Sequence, residues 1–173
     1  MAVVYISLGS NLDDPKQHVL SALQQLGLIP QTKLVSHSSL YNTPPMGGKQ
    51  QPNYINAVAE LQTDLSPSEL FEEIIMLEKR HGRRREGARW DSRTLDLDIL
   101  LYGLETVNLP TLIIPHPGIT TRAFVLLPLL EIAPEVCLPS MEPLVNYLAR
   151  VDKTGIFILK GEIVASEKEE RAI

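Results

Sequence analysis

Thr94-Leu95-Asp96-Leu97-Asp98-Ile99-Leu100-Leu101 is the stretch whose pattern decides the fold. Apolar residues at 95, 97, 99 and 101 alternate with aspartates at 96 and 98. A period of two is that of a β-strand with two unlike faces, and it predicts a strand over Thr94 to Tyr102. Leu95, Leu97, Ile99 and Leu101 belong to the core face. Asp96 and Asp98 share the opposite face, roughly 6.6–7 Å apart at the backbone. Two carboxylates so placed repel and desolvate badly unless a cation sits between them. Hard oxygen donors with no neighbouring His or Cys suit Mg²⁺, which takes one or two carboxylates plus substrate phosphates. The plainer alternative is a solvated face whose aspartates pair with arginines.

Arginines are indeed at hand. Lys79 to Arg93 holds seven basic residues (Lys79, Arg80, Arg83, Arg84, Arg85, Arg89 and Arg93) and two acidic ones, Glu86 and Asp91. The window carries +5 in a chain of net charge −5, which leaves −10 for the remainder. A local arginine patch on an acidic chain points to a local anionic ligand rather than to general nucleic-acid affinity. Arginine suits bidentate contacts to phosphate. Carboxylates beside an arginine loop are the parts that phosphoryl transfer uses for positioning and charge neutralisation. The sequence has no Walker A, G-x-G-x-x-G, C-x-x-C pair or H-E-x-x-H motif, so side chains must handle any phosphate. A solvated basic loop, or a salt-bridge network with the aspartates, is the bland counterpart.

Farther out, Ser66-Pro67-Ser68-Glu69 reads as a capping box, followed by a helical stripe at Leu70, Ile74 and Leu77 that Gly82 ends. Tyr54 to Thr63 alternates as a strand. Thr43 to Pro52 is a loop with three prolines and two glycines. Thr32 to Tyr41 reads as a strand interrupted at Ser36 to Ser39. Val3 to Leu8 is a central strand, and Gly9-Ser10-Asn11 a turn. Asp13 and Asp14 before Pro15 start a helix carrying Val19, Ala22, Leu23 and Leu26, with Gly27 its stop. Beyond the quoted strand, Leu109 to Ile114 is expected to pair back on it across Gly103. A short segment at Phe124 to Leu130 and a helix over Pro143 to Arg150 follow. The β-α-β-β-α-β order predicts an α+β, ferredoxin-like fold: a largely antiparallel sheet flanked by helices on both sides, in α-β-α layers.

The chain has 173 residues, 44% hydrophobic and 21% charged, enough for one domain with its own core. Residues 1–160 are expected to form that single domain and 161–173 a charged tail. Cys137 is the single cysteine, so no intrachain disulfide forms, which fits a reducing compartment. Met1 to Asn11 lacks a basic n-region and does not read as a signal peptide. No apolar run approaches a membrane span. A cytoplasmic monomer without membrane or nucleic-acid partners is expected.

Other residues carry weaker signals. His116 lies between two prolines and could touch phosphate, although a lone histidine is more often structural. Trp90 sits inside the arginine loop, where it could cover a ligand. Tyr54, Asn56 and Phe124 could form a slot in which a ring stacks while an amide reads its edge. Spacing alone puts Tyr54 and Phe124 in the core.

Taken together, Gly9-Ser10-Asn11, Tyr41-Asn42-Thr43-Pro44-Pro45, Tyr54-Ile55-Asn56, Glu78, Arg89-Trp90-Asp91-Ser92-Arg93-Thr94-Leu95-Asp96-Leu97-Asp98-Ile99, Pro115-His116-Pro117, Arg122 and Phe124-Val125-Leu126 resemble the 6-hydroxymethyl-7,8-dihydropterin pyrophosphokinases of folate biosynthesis. The resemblance runs in order from Val3 to Leu148. It implies transfer of the β,γ-pyrophosphoryl group of ATP to the hydroxymethyl oxygen of the pterin, with release of AMP. It implies that Asp96 and Asp98 bind two Mg²⁺ ions and that Arg83 and Arg93 stabilise the transferring group. Arg85, Trp90, Ile99, His116 and Arg122 would line the ATP site, with Glu78 near the nucleoside. Tyr54 and Phe124 would sandwich the pterin, and Asn56 with Thr43, Pro44 and Met46 would meet its edge. The chain departs from the family at Asp91-Ser92, where a small residue followed by proline is usual.

Two other classes compete. A ferredoxin-like RNA-binding module would need stacking aromatics, yet only 5% of residues are aromatic and aspartates occupy the strand face. A catalytically silent relative would act only as a partner subunit. Pro44 to Pro52 and Arg83 to Asp91 are expected to be mobile loops that close over bound substrates.

Overall fold

The computed structural model describes residues 1–46, 50–82 and 94–160. The arginine loop with Arg83, Arg85, Trp90 and Arg93, residues 47–49 of the proline loop and the charged tail lie outside the described residues. So does the loop closure expected of them.

Five main strands build one sheet: β1 (Ala2–Ser10), β2 (Thr32–His37), β3 (Tyr41–Thr43), β4 (Tyr54–Thr63) and β5 (Asp96–Tyr102). The order is β5-β1-β4, with β2 and β3 in succession along the far side of β4. All these pairings are antiparallel. Helices α1 (Pro15–Leu26) and α2 (Pro67–Arg80) follow β1 and β4, giving β-α-β-β-β-α-β, one strand more than expected. Their stripes, Val19, Ala22, Leu23 and Leu26 with Leu70, Ile74 and Leu77, pack on one face against Ile6, Leu8, Leu95, Leu97 and Ile99. Fully burying one such side chain contributes about 1.5–3 kcal/mol. Helix α3 (Ala123–Ile132) and a 3₁₀-helix at Leu144–Arg150 cover the other face, over Val58, Leu100 and Leu101. The layers are those expected, with helices on both sides of an antiparallel sheet.

The capping box forms as read: Ser66 Oγ accepts from Glu69 N–H, and Glu69 Oε1 accepts from Ser66 N–H. The other helix starts at Pro15 as read, with proline in its first turn, but without a side-chain cap. Asp13 and Asp14 both lie in the left-handed region, and Asp14 makes no side-chain cap. Its backbone turns the carboxylate away from the first-turn N–H groups that an extended N-cap residue would meet.

Four strand readings need correction. Gly9 and Ser10 are strand rather than turn, because β1 runs on to pair with β4 at Asn56 and Ile55. Thr32 to Tyr41 is two strands. At the break Ser38 turns its hydroxyl to accept from Val58 N–H, while its own N–H donates to Val58 O, so the ladder to β4 survives the polar interruption. The alternation of β5 fails at Leu100. Tyr5 pairs with Leu101 but Ile6 with Ile99, so one extra residue bulges and Leu101 moves to the α3 face. Finally, Leu109 to Ile114 does not pair on β5. Pro110, with fixed φ and no N–H, turns the chain, and β6 (Val107–Leu109) pairs with β7 (Leu112–Ile114) as a separate hairpin. Beyond the 3₁₀-helix, a two-residue strand β8 (Phe157–Ile158) adds to β3.

Helices α1 and α2 are also tied by a histidine pair. His18 Nδ1 lies 2.6 Å from His81 Nδ1, and His81 Nε2 donates to Gln25 Oε1 at 3.2 Å. That arrangement needs His81 neutral, with Nδ1 accepting from His18. Burial, and then the His18 charge, push the His81 pKa below its ordinary value. The unfolded chain therefore binds this proton first as pH falls, and stability declines from about pH 6.5 downward. Urea unfolding between pH 7.5 and 5.5 should show that decline, and His81→Gln should flatten it by retaining the bond to α1 without the proton. Equal slopes in both proteins would contradict the assignment.

Candidate functional site

The site follows from the register of three strands. Gly9 of β1 stands opposite Asn56 of β4 on one side and Asp96 of β5 on the other. Two residues earlier, Ser7 stands between Val58 and Asp98. Leu97 faces the α1/α2 core, so both aspartates emerge on the α3 side of the sheet. There a cavity of about 340 Å³ opens beside Asp96 and Asp98.

The polar end of the cavity is built on β5 and the segment before α3. His116 Nε2 lies 3.8 Å from Asp98 Oδ2. His116 Nδ1 accepts from Gly118 N–H at 2.9 Å, which leaves the ring proton on Nε2, facing the carboxylate. The ring is 16% exposed, and its pKa is pushed down to about 4 by burial first and by Arg122 second, with Asp96 opposing. His116 thus presents a neutral N–H donor at neutral pH. Arg122 brings a full positive charge to the same wall, its Cζ 5.8 Å from the centre of the Phe124 ring.

The apolar end is built on β4, the end of β3 and the start of α3. Tyr54, Phe124, Pro44 and Met46 line it. Tyr54 and Phe124 are half-buried, wall residues rather than the core residues that spacing alone suggested. Asn56 donates from Nδ2 to Thr43 Oγ1 at 2.6 Å, so its Oδ1 is the atom turned toward Gly9. A Cβ at residue 9 would fall 2.6 Å from that oxygen. Glycine here is a requirement of space: the carboxamide occupies the place of a side chain.

Ten expected site residues thus meet in one cavity: Thr43, Pro44, Met46, Tyr54, Asn56, Asp96, Asp98, His116, Arg122 and Phe124. Glu78 and Ile99 do not line it. Ile99 packs in the α1/α2 core. Glu78 is 1% exposed, and its Oε2 accepts from Leu97 N–H at 3.0 Å. It holds the start of β5 from behind. Sequence reasoning missed Ser7, Gly9 and Pro117 as wall residues. It also gave no role to Ser10 and Asn11, whose side chains are buried clamps. Ser10 Oγ donates to Thr94 O, and Asn11 Nδ2 donates to Gln51 Oε1 and Pro52 O. Reading Gly9-Ser10-Asn11 as a turn hid these. A buried run of small polar residues at a strand end was the available signal.

Hard carboxylate oxygens beside a neutral imidazole donor suit a divalent cation such as Mg²⁺. Among the described residues no three His, Cys, Asp or Glu side chains come together. Two carboxylates leave most of an octahedral shell to other oxygens, which phosphates and water supply.

The family model described as 7,8-dihydro-6-hydroxymethylpterin-pyrophosphokinase (HPPK) matches residues 5–134. The 2-amino-4-hydroxy-6-hydroxymethyldihydropteridine pyrophosphokinase of Pseudomonas aeruginosa is 43% identical over 158 residues, covering 91% of this chain and 97% of that relative. The enzyme of the same name from Haemophilus influenzae is 45% identical over 142 residues, covering 82% and 88%. Among solved structures, wild-type Plasmodium falciparum HPPK-DHPS with SDX-DHP superposes with a TM-score of 0.63 at 13% identity, a likeness of fold alone. That match covers 87% of this chain and 43% of the solved one, so this chain spans less than half its length. With the motif, the register and two relatives matched over most of their length, the chain belongs to the 7,8-dihydro-6-hydroxymethylpterin-pyrophosphokinase family.

Proposed function

We propose that this chain transfers the β,γ-pyrophosphoryl group of ATP to the hydroxymethyl oxygen of 6-hydroxymethyl-7,8-dihydropterin, a step of folate biosynthesis. The pterin oxygen bonds to the β-phosphorus, the bond from that phosphorus to the α-phosphate oxygen breaks, and AMP leaves. The hydroxyl proton passes to solvent. The observation that carries this reading is a cavity with Asp96, Asp98 and the Arg122 cation at one end and an aromatic, amide-edged slot at the other.

In this reading Tyr54 and Phe124 hold the pterin ring between them. Asn56, oriented by Thr43, offers Oδ1 to ring N–H donors, and Pro44 and Met46 close the edge. Asn56 and Asp96 stand two strands apart, roughly 10 Å, which spaces the ring from the phosphates. Asp96 and Asp98 hold two Mg²⁺ ions, whose chemistry is to neutralise and align phosphate oxygens. His116 donates Nε2–H, and Arg122 its guanidinium, to the same phosphates. Arg83 and Arg93 stabilise the transferring group, and Arg85 and Trp90 complete the ATP side. Glu78 and Ile99 serve it through the placement of β5. The enzyme works as a cytoplasmic monomer on these two small substrates. No described helix is long and apolar enough to cross a membrane.

Incubation with ATP, Mg²⁺ and the hydroxymethyl pterin should release AMP in step with pterin diphosphate, and omission of the pterin should stop it. Asp96→Ala and Asp98→Ala should each lower turnover by at least about 100-fold, the scale of a lost electrostatic group at a reacting centre, with the fold intact. No AMP release would favour an RNA-binding module or a silent relative. Near-normal Mg²⁺-dependent turnover in either variant would refute the two-ion assignment.

Asn56→Ala should weaken pterin binding by about 1–3 kcal/mol, the cost of a lost hydrogen bond in a buried slot. ATP binding should be unaffected. Calorimetry showing equal weakening of both ligands would contradict the edge-reading geometry.

A further inference from the structure

Gly118 is not a wall residue, yet it touches both His116 and Arg122. Its N–H donates to His116 Nδ1 at 2.9 Å. Its carbonyl accepts from Arg122 N–H at 3.1 Å, which brings residues 118 and 122 side by side ahead of α3. A Cβ built on it would meet Arg122 side-chain atoms before any others: Nε, then Cδ at 2.7 Å and Cζ at 2.9 Å.

Backbone conformation does not call for glycine here. The glycines with positive φ among the described residues are Gly82, Gly103 and Gly155, and Gly118 is not one of them. What residue 118 lacks is a side chain, and Arg122 lies in that space. With a methyl group present, the arginine must leave the rotamer that carries its guanidinium into the cavity and over Phe124. The flexible arginine yields, not the backbone.

We propose that Gly118 is a positioning residue for nucleotide binding, setting the His116 ring through its N–H and the Arg122 guanidinium through its missing Cβ. This rests on the reading above in which His116 and Arg122 contact the phosphates of ATP. Gly118→Ala keeps the N–H and so isolates the arginine arm. Alanine is also compatible with a negative φ.

Steady-state kinetics on the wild type, Gly118→Ala, Arg122→Ala and the double variant test the proposal, with thermal melts alongside. Gly118→Ala should raise KM for ATP about tenfold, the scale of one charge-assisted hydrogen bond. KM for the pterin should stay within about twofold of wild type, and Tm within about 2 °C. In the Arg122→Ala background the glycine substitution should add nothing, because the methyl group then has no arginine to displace. A raised KM for ATP in Arg122→Ala with a wild-type KM in Gly118→Ala overturns the proposal while leaving the phosphate reading intact. An unchanged KM for ATP in Arg122→Ala overturns the phosphate reading, and the proposal with it. Additive effects, equal losses for both substrates, or a Gly118→Ala protein that fails to fold would assign residue 118 a backbone role and overturn the proposal.

Discussion

One row across the sheet, Asn56-Gly9-Asp96, sets what the rest of the molecule must satisfy. β1 is hydrogen-bonded on both sides, so it fixes the register of β4 and β5 together. A slip of β5 by one residue would drive Asp96 and Asp98 into the α1/α2 core and turn Leu97 and Ile99 into the cavity. Burying an unpaired carboxylate is far more costly than exposing a leucine. The register is held at several independent points. Ser10 Oγ donates to Thr94 O at the entrance to β5, Glu78 accepts from Leu97 N–H from beneath, and the bulge at Leu100 ends the alternation once the aspartates have been placed.

The two sheet faces then divide the work. The α1/α2 face is apolar apart from the buried carboxylate of Glu78, and it supplies cohesion. The α3 face is packed at one end by Leu100, Leu101, Leu126 and Leu129, and open at the other, where β5 begins and β3 ends. Within that opening Asp98 lies 3.8 Å from His116 Nε2, and Arg122 shares the same wall. Arg122 sits over an aromatic ring, and the adjacent His116 is kept neutral by burial and by that same arginine. The aspartates therefore face a hydrogen-bond donor and a cation, an arrangement that gains most from a polyanion carrying its own divalent metal.

Much of this was legible in the residues, and the failures have identifiable causes. The alternation of Leu95, Leu97 and Ile99 and the capping box at Ser66 are local signals, and both hold. Local propensity misled where tertiary hydrogen bonding prevailed. Gly9-Ser10-Asn11 looks like a turn until β4 supplies partners for its backbone. Ser36 to Ser39 reads as one interruption, whereas the Ser38 hydroxyl keeps contact with Val58. Pro110 was the available sign that Leu109 to Ile114 could not be one strand. Among site residues, those with unusual chemistry at short spacing announced themselves. Gly9, which leaves room for the Asn56 carboxamide, did not, because its neighbour is distant in sequence; Glu78 was legible only through the family resemblance, and its bond to Leu97 N–H was not legible at all.

In the proposed function, strand β5 delivers two carboxylates to one cavity to hold a metal-bound polyphosphate. Anomalous diffraction from crystals grown with Mn²⁺ in place of Mg²⁺ and a non-hydrolysable ATP analogue tests it most directly. Anomalous peaks are expected on the α3 side of the sheet, at coordination distance from oxygens of both Asp96 and Asp98, with the triphosphate alongside His116 and Arg122. Peaks elsewhere, or aspartates turned away into ion pairs with the arginines of residues 83–93, would contradict it.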